Sequence, residues 1–329
     1  MAEPGFVLLD MLTCKSPRKV IRAAFLLATE CLPQYRDPFS RHDFTLPQLF
    51  ACLVIREHQK KSYRGVEALL RDSLDWLADI GMTRAPDHNT LWRAFNLLIT
   101  PGTIDSMLDL QARWAAERKL FDGRIGLVSL DSTLFESRHV SRHFEKRQRQ
   151  SRQQEATKPR KSRRKAAANR RRSKVIRGLP KLSLAVATNC HLILAARATT
   201  GAGSDARFFQ PILEQARRRM KIKVVVADAG YDSEANHVIA RDRLGIRSII
   251  PPWIGRPTSK PPTGRHRRNM SRRFARKADQ PAYGQRWQSE TVNSMIKRNL
   301  GSAMRATTAR RRTKELLLRS VTHNVMILQ

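Results

Sequence analysis

Cysteine, long apolar runs and phosphate-binding loops are scarce or missing in this sequence. Its four cysteines, Cys14, Cys31, Cys52 and Cys190, stand far apart and form no CxxC pair, so we predict reduced core thiols rather than disulfides or a zinc site. No stretch approaches the roughly 18 apolar residues of a membrane span. No GxxxxGK motif occurs, which argues against nucleotide hydrolysis. These absences favour a cytoplasmic or nucleoid-associated protein.

Acidic residues are also in short supply. The 329 residues include 63 Lys and Arg but only 28 Asp and Glu, which gives a formal net charge of +35. A positive charge of this size attracts polyanions and repels other copies of the chain. An anionic membrane is the alternative partner, but the sequence shows no long amphipathic helix with a basic face. We therefore predict nucleic acid as the partner and no membrane binding.

The first 120 residues have a helical pattern. Apolar residues recur at helical spacing from Pro17 to about Leu120, without the alternation that predicts a half-buried strand. Three short helices are predicted in series at residues 46–58, 63–70 and 89–98, the last with Asp87 as its cap. Such a series suits a helix-turn-helix, although an ordinary helical bundle gives the same pattern. We predict a helical DNA-binding domain at 1–120 and a second domain at 121–329.

The second domain is predicted to be α/β. Short apolar runs without helical period indicate buried strands, at residues 125–130, 182–188, 191–197, 223–227 and 247–251. The second and third runs form a predicted hairpin, and helical segments at 205–220 and 233–244 separate the later ones. This order predicts a mixed sheet with helices on its faces.

Two strongly basic segments interrupt this pattern, at residues 146–177 and 255–277. Neither contains enough apolar side chains to fold alone. They are either mobile, solubilising loops or phosphate-binding arms that become ordered on DNA. The density of one sign of charge favours the second interpretation.

Two aspartates come directly after buried runs, Asp131 in LVSLDST and Asp228 in VVVADAGYD. A carboxylate at the end of a buried strand is held rigidly, and two neighbouring strands would bring both groups to one sheet edge. Carboxylate oxygens are the ligands that Mg²⁺ prefers. A pair of metal ions generally needs a third acid, which has to come from another part of the chain.

A predicted helix near residue 290 supplies a third acid. Read as one helix, PAYGQRWQSETVNSMIKRNL places Tyr283, Arg286, Glu290 and Lys297 on one stripe, with an apolar face on its other side. An acid among cations would bind metal while its neighbours hold DNA phosphates. The plain alternative is a solvated face with an Arg286–Glu290 pair worth roughly a few tenths of a kcal/mol.

These motifs together resemble the DDE transposases of bacterial insertion sequences, in the group that carries a Tyr-Arg-Glu-Lys signature. The stretches LPQLF, SYRGVEALLRDS and PDHNTLWR resemble the helical N-terminal region of the same group. The resemblance therefore covers most of the chain. It implies a ribonuclease H-like core after the helical domain.

The resemblance also implies residue roles and partners. The acids implied to bind two Mg²⁺ ions, or Mn²⁺ as a substitute, and to catalyse the reaction are Asp131, Asp228 and Glu290. The residues implied to contact DNA near the cut are Tyr283, Arg286 and Lys297. The implied substrate is double-stranded DNA, at the terminal inverted repeats and at the target, held by a dimer.

The sequence departs from the group in small ways. Leu134 follows the DST motif where glycine is common, and the spacing from Asp228 to Glu290 leaves no room for the large β-rich insertion of some relatives. Tyr231 and Trp287 are predicted to pack in the core rather than to stack on an unpaired base. The alternatives to a transposase are a ribonuclease H-like nuclease that cuts without joining, and a non-catalytic, transposase-derived DNA-binding protein.

Overall fold

The computed structural model describes residues 13–39, 42–121, 126–137, 179–201, 203–252 and 262–329. The N-terminal part is all helical, with helices α1 Pro17–Cys31, α2 Leu46–His58, α3 Tyr63–Asp72, α4 Leu74–Ala78, α5 His88–Leu98 and α6 Pro101–Glu117. The three short helices predicted from the sequence are confirmed as α2, α3 and α5. Within these ranges no helix combines the length and apolar composition that crossing a membrane requires.

Local sequence explains where these helices begin. The Thr45 hydroxyl accepts the N–H of Gln48 at 3.3 Å while the Gln48 side chain accepts the N–H of Thr45 at 2.9 Å, which is a capping box. The predicted cap Asp87 accepts the N–H groups of Asn89 and Thr90 at 2.7 and 3.2 Å. Short polar residues therefore define helix starts that the apolar period alone leaves open.

A five-stranded mixed sheet follows. Its strands are β1 Leu127–Leu134, β3 Pro180–Ala187, β4 Ile193–Thr200, β5 Val224–Ala227 and β6 Arg247–Ile249, in the spatial order β4, β3, β1, β5, β6. Strand β3 lies antiparallel to β4 and β1, whereas β1, β5 and β6 are parallel. Strands β2 Glu136–Ser137 and β7 Ala303–Met304 form a separate pair. The predicted mixed α/β sheet is confirmed, and it is consistent with a ribonuclease H-like domain.

Helices cover both faces of this sheet. They are α7 Phe209–Arg219, α8 Glu234–Val238, which continues as a π-helical turn Ile239–Arg243, α9 Arg265–Ala275, α10 Gln280–Gly284, α11 Trp287–Leu300 and α12 Ala309–Ile327. Side chains of β3 alternate between the faces. Leu184 and Val186 pack with α11 and α12, while Ala185 and Ala187 pack with α7.

Helix α12 joins the N-terminal helices to the sheet. Its residues 315–326 are buried, and one apolar cluster contains side chains from α1 to α6, α11, α12 and β3. A buried ion cluster lies at the same junction, and it consists of Arg56, Glu57, Arg305, Glu315 and Arg319. The two parts of the chain thus share a core, and their division at residue 120 stays a prediction.

Asp131 lies inside β1. The sequence pattern predicts it directly after the end of the strand, and this detail is wrong. The apolar run stops at Leu130, and so does the parallel pairing of β1 with β5. The strand nevertheless continues to Leu134 because β3 pairs with it on the other side. Polar residues can extend a strand when a neighbouring strand satisfies their backbone groups, which no apolar pattern reveals.

The basic segment 255–277 is partly helical. From Arg265 it forms α9, whose His266 and Met270 are buried, so the interpretation of the whole segment as a loop or arm is wrong for this part. Residues 253–261 and the other basic segment, 146–177, lie outside the described residues.

Candidate active site

The strand register sets Asp131 beside Asp228. Leu130 of β1 pairs with Ala227 of β5 in parallel register, so the two aspartates are the next residues along adjacent strands. Adjacent strands lie about 4.8 Å apart. The condition on which the predicted convergence depended, that the two strands be neighbours, is therefore met.

The loop after β5 fixes the direction of the Asp228 side chain. Its Oδ1 accepts the backbone N–H of Gly230 at 2.7 Å and so caps the 3₁₀ turn Ala229–Tyr231. A Cβ at residue 230 would lie only 3.0 Å from that oxygen, so glycine suits this close approach. Tyr231 is fully buried, which confirms its predicted core role.

The surroundings of Asp131 disfavour its ionised form. Burial raises the pKa of Asp131 to about 6, from an ordinary 3.8, and the negative charges of Asp228 and Glu290 act in the same direction. A hydrogen bond from the backbone of Ser132 and the charge of Arg286 oppose this rise. A cation bound between the carboxylates would relieve both burial of charge and mutual repulsion.

Helix α11 is docked on β1 by serine hydroxyls. Ser129 Oγ and Ser289 Oγ are 2.7 Å apart in a buried contact, and the Ser129 hydroxyl is 3.2 Å from the carbonyl oxygen of Arg286. Val292 and Ile296 of α11 are fully buried in the cluster that includes β3, which confirms the predicted apolar face. The helix is therefore fixed at a point one residue before Glu290.

Glu290 is half-exposed and pairs with Arg286. Its side chain is 52% exposed, and its Oε1 lies 2.5 Å from Nη2 of Arg286. The guanidinium carbon of Arg286 is also 5.9 Å from the ring centre of Tyr283. The arginine thus contacts both the acid and the tyrosine ring, and the i, i+4 alternative anticipated the first of these contacts.

Tyr283 belongs to α10, not to the helix that carries Glu290. The prediction of one continuous helix is wrong, because the chain makes a tight turn at Gln285 and Arg286. The Arg286 carbonyl accepts the N–H of Ser289 at 3.2 Å and its hydroxyl at 2.8 Å, an i to i+3 pattern typical of 3₁₀ geometry. The turn nevertheless keeps Tyr283 beside Arg286.

Lys297 lies farther along α11, against the end of β1. Its Nζ donates to Thr133 Oγ1 at 2.6 Å and lies 5.3 Å from the ring centre of Phe135. Burial lowers the pKa of Lys297, and the charge of Asp131 partly opposes this.

A cleft of about 580 Å³ opens beside Lys297. Its lining consists of Asp131, Thr133, Glu290, Asn293, Ser294, Lys297, Arg298 and Ser302. Asp131 and Glu290 thus share one cleft, whereas Asp228 is not in its lining.

Asn293 is a site residue that sequence reasoning missed. Its Nδ2 donates to Oδ2 of Asp131 at 2.9 Å. Its Oδ1 is buried and has no hydrogen-bond partner in the described part of the chain. Asn293 follows Glu290 by three positions, about one helical turn, and this spacing was the available signal. The amide holds the Asp131 carboxylate from the side of α11.

The side-chain donors near Asp131 are of the type that a hard divalent cation prefers, although in this structure they do not converge on one position. Among the described residues, no group of three or more His, Cys, Asp or Glu is placed to hold a metal ion, and Glu290 is engaged by Arg286 instead. The available donors are nevertheless all oxygens, from Asp131, Asp228, Glu290 and the unpartnered amide oxygen of Asn293. Oxygen donors of this kind suit Mg²⁺ and Mn²⁺.

Comparison with known families identifies the family of the chain. The model of one family, described as a transposase DDE domain, matches residues 122–325, more than half of the chain. The chain belongs to that family. A comparison with curated proteins gave no match.

Membership of the transposase DDE family supports a general activity for the chain. It supports transposase activity, in which DNA is the substrate and divalent metal ions take part in cleavage and transfer. Asp131, Asp228 and Glu290 all lie inside the matched range. The predicted family is confirmed, while the assignment to the Tyr-Arg-Glu-Lys group stays a prediction.

Proposed function

We propose that this chain is an insertion-sequence transposase that binds terminal inverted repeats and catalyses Mg²⁺-dependent DNA cleavage and strand transfer, with Mn²⁺ as a substitute ion. The main support is the parallel pairing that puts Asp131 next to Asp228, with Glu290 in the same cleft as Asp131. The proposed catalytic and metal-binding residues are Asp131, Asp228 and Glu290. The proposed DNA contacts are Tyr283, Arg286 and Lys297.

The chain's own residues have distinct parts in this mechanism. Two bound divalent ions would activate a water or a 3′-hydroxyl of the DNA and would stabilise the leaving oxygen. Asp131 would bind a cation through its ionised carboxylate, and the side-chain amide of Asn293 donates to that carboxylate and keeps it oriented. The side chain of Asp228 is kept in a fixed orientation by the turn that it caps.

Arg286 is the proposed link between DNA binding and the third acid. It holds Glu290 in an ion pair, so Glu290 has to leave it to join the two aspartates. The recorded contact of this pair joins one nitrogen to one oxygen, whereas a DNA phosphate can accept two parallel hydrogen bonds from a guanidinium. Substrate binding therefore releases Glu290 toward the site as Arg286 turns to the phosphate.

The N-terminal helices are the proposed DNA-binding domain, and a second copy of the chain is the proposed partner. Helices α2, α3 and α5 lie in series and in an all-helical region, which supports a helix-turn-helix-like DNA-binding domain at 1–120, ahead of a catalytic domain at 121–329. Joining two element ends in one complex requires two active sites. We therefore propose a dimer on DNA.

The acid triad can be tested by three isosteric variants, Asp131→Asn, Asp228→Asn and Glu290→Gln. Each should abolish Mg²⁺-dependent or Mn²⁺-dependent nicking of plasmid DNA that carries the inverted repeats flanking the gene. Binding of the same DNA in Ca²⁺ should persist, because these changes remove negative charge. Glu214→Gln, an exposed change on α7, is the control and should cut normally. Cleavage retained by any triad variant would refute the assignment of that residue.

Strand transfer separates a transposase from a nuclease. Pre-cut ends with free 3′-hydroxyls should join a target plasmid in the presence of the wild-type chain and Mg²⁺. Cutting without joining supports the nuclease alternative. Wild-type protein that binds DNA but neither cuts nor joins, in Mg²⁺ and in Mn²⁺, supports the non-catalytic DNA-binding alternative.

A further inference from the structure

The inner face of α9 is fixed to the catalytic domain by acids. Arg267 pairs with Asp232 through Nε at 2.9 Å and Nη2 at 2.6 Å. Arg273 pairs with Asp279 through two bonds of 2.6 and 2.7 Å. The side chains of both aspartates are only 1% exposed, so solvent screens these two-pronged pairs little. Helix α9 is therefore a rigid part of the domain.

The start of α9 is fixed by a carboxylate from another helix. Glu234 of α8 accepts the backbone N–H groups of His266 and Arg267 at 2.9 and 3.0 Å. Burial raises the pKa of Glu234, but these two bonds and the charges of His266 and His237 together hold the pKa below its ordinary value. Gly264 precedes the helix with φ +97°, and a Cβ there would overlap the Glu234 carboxylate. Glycine thus permits the contact that caps the helix.

The outer face of α9 carries a line of arginines. Arg265, Arg268 and Arg272 within the helix and Arg276 at its C-cap are all exposed. Their spacing of three, four and four places them on one side of the helix, and we call them the arginine stripe. In the described part of the chain, the ion pairs of α9 belong to other residues, Arg267, Arg273 and His266.

This arrangement is unfavourable for an isolated helix. Like charges at i, i+4 destabilise a helix by roughly 0.2–0.5 kcal/mol each, and the stripe contains two such pairs, Arg268 with Arg272 and Arg272 with Arg276. The chain has acids available, because the inner face of α9 uses Asp232, Glu234 and Asp279. The outer positive charge therefore matches an anion outside the protein better than it serves the fold.

Helix α9 is attached to the segments around the candidate site at two points. Asp232, which holds Arg267, lies four residues after Asp228 in the loop that follows β5. Phe274 of α9 contacts Tyr283 edge-on, with ring centres 5.1 Å apart. Helix α9 therefore lies against the segments that carry Asp228 and Tyr283.

We infer that the arginine stripe binds phosphates of the DNA duplex that flanks the bond to be cut. The inference rests on the proposed function. The stripe extends roughly 16 Å, at 1.5 Å per residue over eleven residues, and a duplex rises about 3.4 Å per base pair, so it follows about five base pairs. Guanidinium groups match phosphate geometry through two parallel hydrogen bonds. The contact reads no base sequence and positions the duplex.

The test compares two double variants that remove the same charge. Arg268→Gln with Arg272→Gln neutralises the centre of the stripe. Arg113→Gln with Arg217→Gln neutralises two exposed arginines on α6 and α7, helices that pack on β4 at the other edge of the sheet. Binding of a linear duplex of random sequence is measured in Ca²⁺ as a function of salt. Thermal unfolding confirms that each variant is folded.

In the stripe variant, the negative slope of log K against log salt should become shallower by about two, roughly one for each arginine removed. Its affinity at 0.1 M salt should fall about tenfold or more. The control should change the slope by much less, and Arg268→Lys with Arg272→Lys should keep it. Equal losses in both Gln variants, or none in the stripe variant, would overturn the inference. If the stripe variant binds and cuts like wild type, the inference fails while the proposed function stands. If wild-type protein shows no metal-dependent cutting, the proposed function fails instead.

Discussion

Ionised Asp131 destabilises the metal-free fold, so the Asp131→Asn variant should unfold at a higher temperature. The pKa of this carboxyl is raised from 3.8 to about 6 by burial and by its acidic neighbours. At 1.36 kcal/mol per pH unit, this difference corresponds to about 3 kcal/mol at neutral pH. For 329 residues unfolding with about 2.1 cal/mol/K each, the rise in Tm is roughly 4 °C.

The effect has a defined pH window. Below about pH 4 the carboxyl is protonated in both the folded and the unfolded chain, so wild type and variant should be equally stable. Between about pH 4 and 6 the folded chain keeps a proton that the unfolded chain loses, so wild-type stability falls relative to the variant as pH rises. Above the folded pKa of about 6 the full difference should persist.

The assay is thermal unfolding of both proteins in EDTA at pH 4, 6 and 7.5, repeated with Mg²⁺. The Asp131→Asn side chain keeps an oxygen that can accept from the amide of Asn293, so the packing is preserved. Mg²⁺ should stabilise wild type, by about 2.7 kcal/mol at 100 times its dissociation constant, and should leave the variant unchanged. An exposed control, Asp72→Asn, should shift stability by less than about 0.5 kcal/mol. A variant no more stable than wild type at pH 7.5 in EDTA would refute this account of Asp131.

Three further predictions concern residues that stabilise the fold or hold Asp131. Replacing Glu57 by Gln should cost about 3–5 kcal/mol in denaturant unfolding, because buried arginines hold its pKa at about 2 despite its burial; that stabilisation is present above pH 4.5 and should be lost as pH falls toward 2. Asn293→Ala should weaken Mn²⁺ binding by about 10–100-fold in calorimetry without loss of fold, and unchanged affinity would contradict its role. Gly264→Ala should lower Tm through its positive φ and its clash with Glu234, whereas Gly102→Ala, which meets open space, should be neutral or stabilise by about 0.4–1 kcal/mol.

The parts of the fold that were predictable are those whose cause is local. A capping residue and an apolar period define α2 and α5, and both helices begin within one residue of the prediction. The strand runs before Asp131 and Asp228 were visible because buried parallel strands are continuously apolar. The adjacency of these strands was an inference that only the pairing of Leu130 with Ala227 could establish.

The parts that were not predictable depend on distant partners. Helix α9 has few apolar residues, and its stability comes from Asp232, Glu234 and Asp279, none of which a local pattern connects to it. The break before α11 arises from hydroxyls of Ser129 and Ser289 that bind one carbonyl. Trp287 was predicted to lie in the core, yet it is 46% exposed, whereas Ser289, two residues later, is buried.

The three acids of the site are held by different kinds of force, and this difference orders their roles. Asp131 and Asp228 are positioned by the backbone pairing of β1 with β5, which changes only if the sheet comes apart. Glu290 is positioned by one half-exposed ion pair with Arg286, and exposed pairs are worth at most about 1 kcal/mol. The aspartates are therefore a preformed pair, whereas a phosphate or a cation can draw Glu290 away at little cost in free energy. We therefore propose that substrate and metal, rather than folding alone, complete a site built this way.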